Sequence, residues 1–235
     1  MKMRREILIY EVHLPSNLSL EEFEESLSIL SDEELKVYKN YKVDHKKIEF
    51  IIGRLLIKQL ISKELDIPIS EVEIIKNKYG KLFLKKQCMH NEKESLHFNL
   101  SHTEGLVICV IGYMDQIGVD VENITYDFLE VMPQVFVPDE IKYINAGSSY
   151  ETKLIRFFHL WTRKEALVKA KGLGFSLSPL SFRVPYQLDE NTAEDFNYFT
   201  YSPLKDYVAS VAVKNAEGIK HTFISKKICW KELIK

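Results

Sequence analysis

Charge stands in this chain where a strand and a helix should be apolar. Ile117-Gly118-Val119-Asp120-Val121-Glu122 reads as a short strand. Residues i and i+2 of a strand share a face, so Asp120 and Glu122 project together while Val119 and Val121 point the other way. Downstream, Trp161-Thr162-Arg163-Lys164-Glu165-Ala166-Leu167-Val168-Lys169 falls within a helix expected from Glu151 to about Lys171. Its inward stripe, Leu154, Phe158, Trp161 and Val168, takes in Glu165. Charged groups are costly to bury unless they meet a counter-charge or a metal. Taken alone, the strand acids read as a solvated face, and Glu165 as one partner of an i,i+4 pair with Lys169. Taken together, Asp120, Glu122 and Glu165 suit one hard cation such as magnesium, which takes carboxylates, phosphate oxygens and water. Lys164 and Lys169 then suit phosphate, for which lysine is a point-charge partner.

The surrounding pattern repeats. Ile7 to Leu14 opens with a strand, and Leu18 to Leu30 has helical spacing of apolar residues. Ser31 and Glu34 form a capping box, and a long helix runs from about Asp44 to Leu65. Short strands near Glu73 and Lys81 to Leu84 precede a hairpin of His97 to His102 and Leu106 to Tyr113. After Asp115 the order recurs: the acidic strand, helical segments from Tyr126 to about Asn145, the long helix, and strands at Phe196 to Tyr201 and Tyr207 to Val213. The expected division is residues 1–114 and 115–235, packed closely, since no Pro/Gly/Ser-rich linker separates them.

Composition excludes several classes. The formal net charge of −2 lacks the basic excess of a nucleic-acid binder. Cys88, Cys109 and Cys229 show no metal-ligand spacing and read as reduced thiols. No apolar run is long enough to cross a bilayer, and Glu11 interrupts the only apolar stretch near the start. A cytoplasmic protein without nucleic-acid or membrane partners is expected.

Gly118-Val119-Asp120, forty further residues, then Trp161-Thr162-x-Lys164-Glu165-Ala166-x-x-Lys169 resembles the two-part signature of 4'-phosphopantetheinyl transferases, in the larger Sfp type. Tyr79-Gly80-Lys81, Phe98-Asn99-Leu100-Ser101-His102-Thr103 and Gly172-x-Gly174 extend the resemblance from about Asp44 to Ser178. It implies an α+β pseudo-dimer of two similar halves, monomeric, with coenzyme A bound between them. It implies transfer of the phosphopantetheine arm of coenzyme A to a serine of an apo acyl or peptidyl carrier protein, releasing 3',5'-ADP. By position, Asp120, Glu122 and Glu165 resemble magnesium ligands, and Glu165 also the base that takes the serine proton. Lys164 and Lys169 resemble diphosphate contacts, Ser101 and His102 contacts to the 3'-phosphate, and Lys81 a further phosphate contact.

The chain departs from the family pattern twice. Leu82 stands where proline usually follows Gly-Lys. Glu49 stands shortly before Phe50-Ile51-Ile52-Gly53-Arg54, where an arginine is common, leaving Lys46 or Lys47 as substitutes. Glu140 is a second candidate base, although an acid after Pro138 also suits a helix first turn. Two rival readings are a metal-dependent phosphohydrolase and a non-catalytic module that binds coenzyme A or a carrier protein.

Overall fold

The computed structural model describes residues 6–85, 96–124, 129–186, 192–193, 195–215 and 221–234. Cys88 and Tyr126 lie outside the described set.

The first half comprises β1 (Glu6–His13), α1 (Asp32–Asn40), α2 (Asp44–Leu65), β2 (Ile74–Lys76), β3 (Leu82–Leu84), β4 (His97–Thr103) and β5 (Leu106–Gly112). The second comprises β6 (Ile117–Asn123), α3 (Met132–Val135), α4 (Pro138–Asn145), α5 (Tyr150–Lys171), β7 (Thr192–Ala193), β8 (Phe196–Tyr201) and β9 (Tyr207–Lys214). In each, the opening strand pairs antiparallel with the second strand of the hairpin, β1 with β5 and β6 with β9. Each has one helix of 22 residues. Both helices end on a left-handed residue, Asp66 at φ 53° and Gly172 at φ 66°. The α+β pseudo-dimer implied by the resemblance is the fold.

Hydrophobic burial explains the arrangement. Ile51, Ile52, Leu56, Ile57 and Ile61 of α2 are fully buried in a core that includes Val107 and Cys109 of β5. Phe157, Leu160 and Leu167 of α5 bury beside Phe136 and Phe196. A third cluster joins the halves, with Ile7, Ile9, Ile108 and Val110 meeting Val119, Val121, Val211 and Val213. Each fully buried side chain of this size is worth roughly 1.5–3 kcal/mol, so this seam locks the two sheets together. Asn99 Oδ1 adds a buried bond across it, accepting the Val119 N–H at 2.9 Å.

Glycine sets the depth at which β6 meets α5. A Cβ on Gly118 would lie 2.1 Å from Ala166 O and 2.4 Å from Ala170 N. Both obstacles are helix backbone and cannot rotate away. Gly118→Ala is expected to lower stability by about 1–3 kcal/mol or more through overpacking, measured by urea denaturation. Wild-type stability in that variant would show that the strand has room to move.

Three sequence expectations change. Residues 18–30 form two short 3₁₀ turns, Leu20–Phe23 and Glu25–Ile29, instead of an α-helix. In these turns only Phe23 is buried, so the apolar stripe lacks a continuous surface to lie on. The strand β10 (Thr222–Ile228) and helix α6 (Trp230–Leu233) were not anticipated. The division at residue 114 places them in the second half by sequence. The backbone returns them to the first, with β10 parallel to β1 and Trp230 5.7 Å from Phe23. Among the described residues no helix is long and apolar enough to cross a membrane.

Candidate active site

A cavity of about 550 Å³ opens where the two halves meet. Its walls include Glu49, Phe50 and Arg54 of α2, Leu100 and His102 of β4, the loop Tyr79-Gly80-Lys81, and Trp161, Glu165, Val168 and Lys169 of α5. The α5 residues recur at intervals of three and four, which places them along one helix face.

The acids gather behind that face. Asp120 is 4% exposed. Its Oδ1 accepts from Lys169 Nζ at 2.6 Å and from Ser101 Oγ at 3.1 Å, and Lys169 also donates to Ser101 Oγ at 2.9 Å. The other oxygen, Oδ2, is buried with no hydrogen-bond partner. Glu122 Oε1 accepts from Trp161 Nε1 at 3.2 Å. Burial first, and then the charge of Asp120, push the Glu122 carboxyl up to about 7. The same two causes raise Glu165, against the pull of Lys169. The strand pair and the helix acid, far apart in sequence, therefore share one electrostatic neighbourhood.

This donor set suits a divalent cation in kind and charge. Three carboxylates repel one another in a desolvated place, and one buried oxygen lacks a partner. Among the described residues, however, no three His, Cys, Asp or Glu side chains are already gathered as a chelating set. Lys169 holds Asp120 and Trp161 holds Glu122 instead. The i,i+4 pairing of Glu165 with Lys169 gives way to an ion pair of Lys169 with Asp120.

Two expected contacts lie elsewhere. Lys164 is 2% exposed and is absent from the cavity wall. Its ammonium pairs with Glu140 at 2.9 Å and donates to Pro179 O at 2.7 Å and Phe182 O at 3.0 Å. Successive helix residues are turned by about 100°, so Lys164 faces the core when Glu165 faces the cavity. Glu140, 0% exposed, also accepts the Val137 N–H at 3.0 Å. It belongs to that buried pair and not to the cavity. Ser101 and His102 separate because adjacent strand residues point to opposite faces. Ser101 reaches the acids, and only His102 lines the cavity.

Asn77, which sequence reasoning missed, organises the loop. Its Oδ1 accepts the N–H groups of Tyr79 at 2.9 Å and Lys81 at 3.0 Å, and its Nδ2 donates to Gly172 O at 2.8 Å. Gly80, at φ 90°, makes the turn without Cβ strain. An Asn three residues before Gly-Lys is the available signal, since Asx side chains close turns on backbone N–H groups two or more residues on. These bonds supply order that a proline at position 82 would otherwise give.

Lys81 lines the cavity, and its ammonium donates to Ala170 O at 2.5 Å and Ile117 O at 3.3 Å. Burial lowers its pKa to about 8, opposed by Asp115. Between about 8 and 10.5 the folded chain has released a proton that the unfolded chain still holds, so this contribution to stability rises with pH. It is complete above 10.5 and lost as pH falls through about 8. After solvent screening its size is at most about 2 kcal/mol. Denaturation midpoints across this range should rise more steeply in wild type than in Lys81→Met. Parallel profiles would contradict the assignment.

His102 Nδ1 lies 2.8 Å from Glu49 Oε2, and Lys46 Nζ meets the same oxygen at 2.8 Å. Lys47 sits 3.6 Å from Asp44. Neither lysine stands clear as a substitute for the arginine common at position 49.

Comparison with known proteins agrees with this architecture. A model described as the 4'-phosphopantetheinyl transferase superfamily matches residues 116–212, and one described as 4'-phosphopantetheinyl transferase, N-terminal, matches residues 17–112. The chain is 29% identical over 181 residues to the 4'-phosphopantetheinyl transferase Sfp of Bacillus subtilis (strain 168), covering 77% of each protein. It is 27% identical over 187 residues to the 4'-phosphopantetheinyl transferase gsp of Aneurinibacillus migulanus, covering 80% of this chain and 73% of that one. It is 31% identical over 172 residues to an L-aminoadipate-semialdehyde dehydrogenase-phosphopantetheinyl transferase of Schizosaccharomyces pombe, covering 68% and 66%. Two matching halves, each answering to a transferase model, define a group-transfer enzyme. The chain belongs to the 4'-phosphopantetheinyl transferase family, in its Sfp type.

Proposed function

We propose that this enzyme moves the 4'-phosphopantetheine arm of coenzyme A onto a serine of an apo acyl or peptidyl carrier protein, with magnesium, releasing 3',5'-ADP. The observation that carries the reading is the clustering of Asp120, Glu122 and Glu165 behind a cavity that Lys76, Lys81 and Lys169 also line. Coenzyme A occupies that cavity, with its diphosphate toward Lys169 and Glu165 and its nucleoside toward His102. Asp120, Glu122 and Glu165 would hold magnesium, which would supply charge neutralisation at the diphosphate.

The chain's own groups do the rest. The lysines offset the dense negative charge that would repel a nucleophile, and the walls hold the reacting phosphorus in line. Glu165 accepts the serine proton. Burial and the charge of Asp120 raise its pKa, which strengthens it as a proton acceptor, and such a base contributes roughly 10²–10⁴-fold. Lys164 and Glu140 take no part. The enzyme acts as a cytoplasmic monomer, its two halves supplying both walls of the site.

Incubation with coenzyme A, magnesium and several apo carriers, followed by mass spectrometry, tests the proposal. A gain of one phosphopantetheine on a carrier is expected. Release of phosphate or nucleotide without an acceptor would instead favour the phosphohydrolase.

A further inference from the structure

Three carboxylates share one ammonium behind the cavity. Lys169 Nζ lies 2.6 Å from Asp120 Oδ1 and 2.9 Å from Ser101 Oγ. Its charge also favours the ionised forms of Glu122 and Glu165. Two neighbouring lysines are committed elsewhere: Lys164 pairs with Glu140, and the Lys81 ammonium is held by Ala170 O and Ile117 O. Among the described residues no other ion pair reaches Asp120, Glu122 or Glu165. Lys169 thus neutralises a carboxylate that is 4% exposed, which is the service a divalent ion would also give.

The two cations compete for that carboxylate. An ammonium has three donors and no lone pair, so it cannot join a metal as a ligand. Like charges about 4 Å apart repel strongly at an intermediate dielectric, and a divalent partner doubles the effect. Lys169 has somewhere to go. Its side chain is 30% exposed, lines the cavity and hangs on a flexible four-carbon stem. A diphosphate in the cavity offers it an anion outside the acid cluster. Ser101 stays behind, donating to Asp120 Oδ1 at 3.1 Å, so the carboxylate keeps one fixed bond after the ammonium has moved.

We propose that Lys169 is a counter-cation exchanged for the metal: coenzyme A draws its ammonium off Asp120 and onto the diphosphate, and Asp120 then accepts the divalent ion. The inference rests on the reading of the acids as the metal site and of the cavity as the coenzyme A site. It makes metal binding weak until coenzyme A is present, and by reciprocity each ligand strengthens the other.

Manganese(II), whose free aquo ion gives a spin-resonance signal that is lost on binding, serves as the probe. The full chain is titrated as wild type, Lys169→Gln and Lys169→Met, without coenzyme A and at saturating coenzyme A, with manganese held by coenzyme A alone subtracted. Without coenzyme A, both neutral variants should bind manganese about tenfold or more tightly than wild type, because the competing charge is gone. At saturating coenzyme A the difference should close to about threefold. Lys169→Arg keeps the cation and should follow wild type. Glutamine can still donate to Asp120 Oδ1, so the Lys169→Gln protein keeps its fold, as a thermal melt will show. A role confined to holding Asp120 in place predicts weaker manganese binding in the neutral variants. Equal or weaker binding in Lys169→Gln without coenzyme A would overturn the exchange while leaving the metal site intact. Asp120→Asn should lose manganese in both conditions. Undiminished binding there would reject the acids as the metal site, and the exchange with them.

Discussion

Glu165→Gln is expected to remove carrier modification, with a rate loss of at least about 10²–10⁴-fold from the base alone. The substitution keeps the shape of the side chain and removes its ability to accept a proton. It also removes one of three negative charges that would hold the metal. The fold should not suffer. Burial and the charge of Asp120 both disfavour the ionised Glu165, so a neutral side chain relieves repulsion. The melting temperature should hold or rise slightly. The measurement is the mass gain of an apo carrier over time beside a thermal melt. Unchanged turnover in a folded Glu165→Gln protein would remove the residue from both of its roles.

The neighbouring residue predicts the opposite outcome. Lys164→Met should cost about 3–5 kcal/mol of stability, because it leaves Glu140 buried without its cation. Burial lowers the Lys164 pKa, and the charge of Glu140 opposes that shift, as expected when the two groups depend on each other. Removing both charges in Lys164→Met with Glu140→Leu should recover most of the loss, since a buried pair replaced by apolar side chains is often neutral. Urea denaturation of the single and double variants measures this. Turnover per folded molecule should persist in the double variant. A Lys164→Met protein of normal stability that binds coenzyme A poorly would restore Lys164 to the phosphate site.

These two residues also show what sequence could and could not disclose. The long helices and both hairpins were legible because their apolar residues repeat at fixed intervals. Asp120 and Glu122 were legible as a pair through the period of two, and Glu165 through its place on a helical stripe. The position of Lys164 was legible in part, since it lies four residues after Leu160 and three before Leu167, both buried. Its Glu140 partner was not, because the pair spans two helices. Separation of Ser101 from His102 follows from strand alternation. The pairing of Glu49 with His102 required three dimensions, for Glu49 lies on the helix α2 and His102 on the strand β4. Residues 222–228 carried no strand signal: β10 is an edge strand with several exposed positions, including Lys226 and Lys227. Only β1 beside it makes it a strand.

That last strand has a consequence for biogenesis. One side of β1 is closed by residues that leave the ribosome much later than β1 itself, with Glu6 opposite Thr222. Until they emerge, the growing polypeptide carries an open sheet margin able to recruit foreign strands. Assembly must wait for a very distant pairing, so maturation should be slow compared with a helical protein of similar length.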